Sequence, residues 1–164
     1  MIEKTFPITE KLLNSGFIAI QKLLELLNAE SESLAQKTDP AILSGIAADK
    51  REVVAHLEQF SAQLGQILAT ENLSANHEGI NHYLSKAQAV GIDIGDTRSC
   101  WANITALSKK CRTLNEQNGA SIDLLSRHTK RALEILKGKS QLASTYGPDG
   151  STRSELFSHT LISV

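Results

Sequence analysis

The chain has 164 residues, enough for one domain with a sizeable core, and its formal charge of −1 sets it apart from strongly basic nucleic-acid binders. Aromatic residues make up 4% of it against abundant Leu, Ile and Ala, a balance that suits long helices with aliphatic cores and suits sheets poorly. No stretch reaches the roughly eighteen apolar residues of a membrane-spanning helix, and the opening MIEKTFPITEK lacks the pattern of a secretory signal, so a cytoplasmic protein is expected.

A first helix is predicted over about 8–37, starting just after Pro7. Leu13, Phe17, Ile20, Leu24, Leu27 and Leu34 recur at alternating intervals of four and three, with a skip at Ser31, as in a helix that packs along its whole length. Leu12, Leu23 and Leu26 widen that stripe, which calls for more than one partner helix. Gly16 lies inside it at modest cost.

Asp39-Pro40 reads as an N-cap followed by proline at the first helical position, opening a second helix over 40–69. Its stripe is Leu43, Ile46, Lys50, Val53, Leu57, Phe60, Leu64 and Ile67. Lys50 stands at a core-type position, where a lysine is expected to snorkel outward while favouring one register. So short a connection makes the two helices antiparallel neighbours.

Ile80, Tyr83, Leu84 and Ala87 predict a short helix over 76–90, closed by Gly91. The GIDIGDT stretch then breaks the chain, with Asp96 or Thr97 as the next cap. A last long helix over 98–137 carries Trp101, Ile104, Leu107, Cys111, Leu114, Asn118, Ile122, Leu125, Ala132, Leu133 and Leu136, and Gly138 stops it. Residues 138–164 are polar and turn-rich and read as a flexible tail around the Tyr146-Gly147-Pro148-Asp149-Gly150 turn. The expected fold is therefore all-α: an up-down-up antiparallel bundle or coiled coil over 1–137, then the tail.

Charge is unevenly spread. Residues 1–97 carry 7 Lys and Arg against 13 Asp and Glu, whereas 98–139 carry 9 against 3. Either two acidic helices face a basic one and the charges set the pairing, or the basic helix meets an acidic ligand. The first is the plainer account.

Little in the chain points to catalysis. Cys100 and Cys111 stand about 16 Å apart on one helix, beyond disulfide reach, and read as free thiols packed as small hydrophobes. Of His56, His77, His82, His128 and His159, no two have the i, i+4 spacing of a helical zinc pair. No glycine-rich phosphate loop or nucleophile elbow is present, and carboxylate pairs such as Glu30 with Glu32, or Asp49 with Glu52, read as solvated. Neither a metal nor a cofactor is expected, and no enzyme.

Two segments resist explanation by packing alone. Leu114-Asn115-Glu116-Gln117-Asn118-Gly119 puts poor helix formers in mid-helix. Asn118 is in phase with the stripe and reads as a register device, or else Gly119 marks a close approach by a second backbone. Tyr146, just before the Pro-Asp-Gly bend, is either folded back on the bundle or exposed as an aromatic anchor.

These residues carry a resemblance. Asn115-x-x-Asn118-Gly119, then Arg131-Ala132-Leu133-x-x-Leu136, Tyr146-Gly147-Pro148-Asp149-Gly150 and the terminal Ile162-Ser163-Val164 look like the FlgN family over about residues 98–164. That family comprises type III export chaperones for the flagellar hook–filament junction (hook-associated) proteins. The resemblance implies a small chaperone that binds the C-terminal helix of those subunits and delivers them to the export-gate membrane protein's cytoplasmic domain. It places client binding on Ile122, Leu125, Leu133 and Leu136, with Leu142 as an extension and Tyr146 docking the gate; Asn118 and Gly119 match its motif without an evident role. Several of the client residues are expected to share in holding the bundle together. Glu155-Leu156-Phe157 departs from the family pattern in being more apolar. The competing reading is a scaffold that self-associates through its heptads, and a distant third is nucleic-acid binding by the basic helix.

Overall fold

The computed structural model describes residues 1–36 and 38–137, so Gly138, Leu142, Tyr146 and the Tyr-Gly-Pro-Asp-Gly turn lie outside the described residues. Four helices follow in order: α1 (Ile2–Ala35), α2 (Pro40–Thr70), α3 (His77–Ala89) and α4 (Gly95–Leu136). The described residues contain no strand, and the protein is all-α.

Local chemistry sets most helix ends. The Asp39 carboxylate accepts from the Ala41 backbone N–H at 2.9 Å, with Pro40 in the first turn. The Asn76 side chain accepts from the Gly79 N–H at 2.8 Å to open α3. Position 79 must be glycine, since a Cβ there would strike the Ser74 carbonyl oxygen. Gly91, at φ 86°, takes the left-handed conformation that ends α3.

Two boundaries differ from the sequence expectation. α1 begins at Ile2, and Pro7 lies inside it rather than before it. Proline removes one ladder bond there, but Ile2, Phe6 and Thr9 are all buried, and continuing the helix is what buries them. α4 begins at Gly95, ahead of the expected caps Asp96 and Thr97. Asp93 Oδ1 accepts from the Gly95 N–H at 3.0 Å, and Thr97 turns into the core.

α1 is the axis of the assembly. Gly16 lies against Phe60 and Glu30 against Lys50, so α2 runs antiparallel to it. Asn14 meets Cys100, the Ile20 carbonyl meets Cys111 and the Leu27 carbonyl meets Asn118, so α4 runs parallel to it. α2 and α4 each lie along α1 but scarcely touch one another. The widened α1 stripe thus has the two partners it called for: Leu13, Ile20, Leu23 and Leu27 share one core with Leu57, Phe60 and Leu64 of α2 and with Trp101, Ile104 and Cys111 of α4. Burial pushes the Cys111 thiol up to about 11, so it packs as a neutral group. α3 is pinned by Tyr83, whose fully buried hydroxyl meets Thr5 Oγ1 at 2.9 Å and accepts from Thr9 Oγ1 at 3.0 Å.

The expected pairing of acidic helices against a basic one is not realised as ion pairs. Among the described residues the ion pairs are Lys22–Glu25, Arg112–Glu116 and Lys50–Glu30, and none joins α4 to another helix. Apolar burial holds α4 to α1 instead.

Candidate functional site: an uncovered helix face

A polar layer closes one end of the core. Glu30 of α1 is 3% exposed, and both its carboxylate oxygens accept from Lys50 Nζ of α2 at 2.8 Å. Asn118 of α4, also 3% exposed, donates from Nδ2 to the Leu27 carbonyl and to Glu30 Oε2, each at 2.9 Å. Three helices therefore meet at one carboxylate. Lys50 turns inward instead of snorkelling, and Glu30 is buried instead of solvated, because each supplies the charge the other needs to leave water. Asn118 is the register device of the two readings. Among the described residues nothing makes a close approach at Gly119, where a Cβ would meet no atom within 4 Å.

The two helix glycines in the long stripes thus differ in kind. A Cβ on Gly16 would lie 2.6 to 2.8 Å from three carbons of the Phe60 ring. Gly16→Ala is expected to cost about 1–3 kcal/mol through overpacking, whereas Gly119→Ala gains up to about 1 kcal/mol of helix propensity. Urea unfolding of the two variants checks both signs.

Beyond this layer the helices part. α1 ends at Ala35, about 8 Å past Glu30, while α4 continues to Leu136, about 27 Å past Asn118. Every residue of α4 from Gly119 onward is exposed. The helix persists there because it extends from an anchored one and needs no new nucleus.

Ile122, Leu125, Leu133 and Leu136 all lie on this projecting part, at 44%, 40%, 49% and 82% exposure. None belongs to the core, contrary to the expectation that several also hold the bundle. At about 100° per residue they fall in a sector of about 80° shared with Ile104, Cys111 and Asn118. The face that packs on α1 simply runs on after α1 has ended. Leu124 and Ile135 are also exposed, on the opposite side.

Apolar residues of α1 and α2 near this layer are also incompletely covered. Leu34 stands one turn beyond Glu30 on α1, and Ile46 and Leu43 stand one and two turns from Lys50 on α2. All three are only partly buried, so the apolar stripes of α1 and α2 are less well covered beyond the polar layer than below it. Sequence reasoning assigned these residues to the core. The missed member of the layer, Glu30, had a readable signal: it follows the stripe residue Leu27 by three and precedes Leu34 by four, opposite a second charged residue in core phase. A separate shallow groove of about 480 Å³ lies between α1 and α4, lined by Leu24, Asn28, Lys109, Lys110, Thr113 and Leu114.

Among the described residues no cluster of His, Cys, Asp and Glu has the makings of a metal site. No helix among them is long and apolar enough to cross a membrane. Fold and site together define an all-α protein of long packed helices, one of which extends an apolar face that no other described residue covers past its neighbours. The family model described as FlgN protein matches residues 8–154, and the chain belongs to the FlgN family. That family consists of flagellar export chaperones, not enzymes. Comparison with curated proteins and with solved structures finds no match.

Proposed function

We propose that the protein is a cytoplasmic export chaperone that covers the C-terminal helix of flagellar hook-associated junction proteins, prevents their premature assembly and hands them to the export gate. The observation that carries this reading is the apolar face of α4 beyond Asn118, open in a member of an export-chaperone family. A junction subunit's terminal helix is built to polymerise, so its apolar face needs cover until export. A second helix with a matching stripe provides that cover by helix-in-groove packing, and Ile122, Leu125, Leu133 and Leu136 are the contacts, with Leu142 extending them. The client must later be released, so an affinity near the micromolar range, about −8 kcal/mol, is adequate.

The test is titration of the full chain with a peptide of the junction subunit's C-terminal helix. Saturable one-to-one binding in the micromolar range is expected; no binding, together with a stable homo-oligomer, favours the self-associating scaffold instead. Tyr146 is assigned to the cytoplasmic domain of the export-gate membrane protein. Tyr146→Ala is therefore expected to leave peptide affinity unchanged and to abolish export of the junction subunits, scored by their appearance in culture medium. Unaltered export removes Tyr146 from the pathway.

A further inference from the structure

The basic residues of α4 form no ion pair with another helix among the described residues. Only Arg112 has an acidic partner there, and that partner, Glu116, lies on α4 itself. The projecting part carries Arg127, Lys130, Arg131 and Lys137 against Asp123 and Glu134, all of them exposed. At about 100° per residue, these charged residues fall within a sector of about 120° that borders the stripe on its Leu133 side. The opposite border, formed by Ser121, His128 and Ala132, carries no Asp, Glu, Lys or Arg. Within the charged sector, Asp123, Lys130 and Lys137 recur at the heptad interval in one column, and that column is the nearest to the stripe.

We infer that the helix received by the α4 stripe is acidic along one edge, with carboxylates a heptad apart facing Lys130 and Lys137. The inference deepens the reading of that face as a helix-binding client site and rests on it. In a packed helix pair the residues bordering the apolar seam meet across it, and their charges set partner choice more than affinity. A helix with carboxylates on that edge meets two cations that have no acidic partner among the described residues. A helix with lysines there meets like charge at both positions. Beside Asp123 the same edge of the partner is neutral or basic, so the column also distinguishes the two ends of the client. Nucleic acid fits this side less well, because its phosphates would meet Asp123 and Glu134 among the cations.

Two exposed edge pairs add little to affinity, but they discriminate. An acidic-edged helix should bind about tenfold more tightly than the same helix with a basic edge, and the difference should fade as salt shortens the reach of charge. Selection by charge suits a face whose apolar stripe alone would accept any leucine-rich helix.

The experiment titrates the full chain by calorimetry with two synthetic helical peptides that share one leucine stripe and carry either Glu or Lys along one edge. At about 50 mM salt the Glu peptide should bind about tenfold more tightly, and at about 500 mM the two should converge. Lys130→Glu/Lys137→Glu should reverse the preference without moving thermal unfolding, since both lysines are exposed. Lys109→Glu/Lys110→Glu makes the same change in net charge elsewhere on α4 and should leave the preference in place. Equal affinities for the two peptides overturn the inference and leave the stripe as a helix site. A preference that survives the first variant, or that the second abolishes as fully, also overturns it, as general electrostatic attraction. Failure of both peptides to bind overturns it together with the client reading. Salt-sensitive binding of a DNA or RNA oligonucleotide that Lys130→Glu/Lys137→Glu abolishes assigns the cations to nucleic acid and overturns it as well. A junction-subunit peptide that fails where the Glu peptide binds with the expected preference sinks the junction subunit as client and leaves the acidic edge standing.

Discussion

Replacing Lys50 with Ala should lower stability by about 3 kcal/mol, a large effect for a lysine on a helix with solvent along one side. The reason is the state in which it leaves Glu30. The carboxylate side chain is 4% exposed, and Lys50, at 19%, supplies two of its three hydrogen bonds. Without the ammonium, a charge remains buried with only the Asn118 amide to solvate it, and breaking such a pair from one side is far more costly than replacing both members. Glu30→Met/Lys50→Met should accordingly recover most of the loss, to within about 1–2 kcal/mol of the original protein. Urea unfolding of the two single variants and the double variant measures the coupling directly. A loss below about 1 kcal/mol in Lys50→Ala means that water reaches Glu30 and that the layer is no true junction.

That layer also has a structural consequence. An all-apolar seam would let α4 slide along α1 by one heptad at little cost, moving the length of uncovered face with it. Asn118 opposes the slide, because the buried carboxylate that accepts from it, Glu30 Oε2, stands at one register only. The point where α4 leaves the bundle is thus fixed by hydrogen bonds, while the attraction along the seam is hydrophobic.

The heptads of α1, α2 and α4 were legible because a helix packed along its length must repeat its apolar residues at three and four, and these do. The position of Asn118 in the stripe was legible for the same reason. What the stripe could not reveal is where its partner stops. Ile104 and Leu133 are alike in period and chemistry, yet one is wholly buried and the other half exposed, because coverage depends on where α1 ends relative to α4. Pro7 and Glu30 were misread from residue type alone, and in both cases a tertiary contact outweighed it. Phe6 and Thr9 gain burial by continuing the helix through the proline, and Lys50 supplies Glu30 with its counter-charge. Charge asymmetry misled in the other direction. The acidic α1 and the basic α4 are neighbours, but among the described residues no ion pair joins them.

The difference between Ile104 and Leu133 yields the sharpest test of the site. Leu125→Asp/Leu133→Asp should reduce affinity for the junction-subunit helix by at least about 100-fold, since each leucine contributes roughly 1–2 kcal/mol when its exposed half is covered and each aspartate adds a charge to be desolvated. The same variant should unfold at nearly the original temperature, because neither leucine belongs to the core and both are already in contact with water. Ile104→Ala should do the reverse. Its side chain is fully buried between α4 and α1, so a loss of about 2–5 kcal/mol in stability is expected, with client affinity unchanged wherever the protein remains folded. Calorimetric titration and thermal unfolding of the two variants give four values, and the proposal requires them to cross. If the double aspartate variant loses stability as well, α4 beyond Asn118 is packed within the protein in solution and is not a free face. If it keeps both stability and affinity, the client lies elsewhere, and the partly buried Leu34, Leu43 and Ile46 become the residues to mutate next.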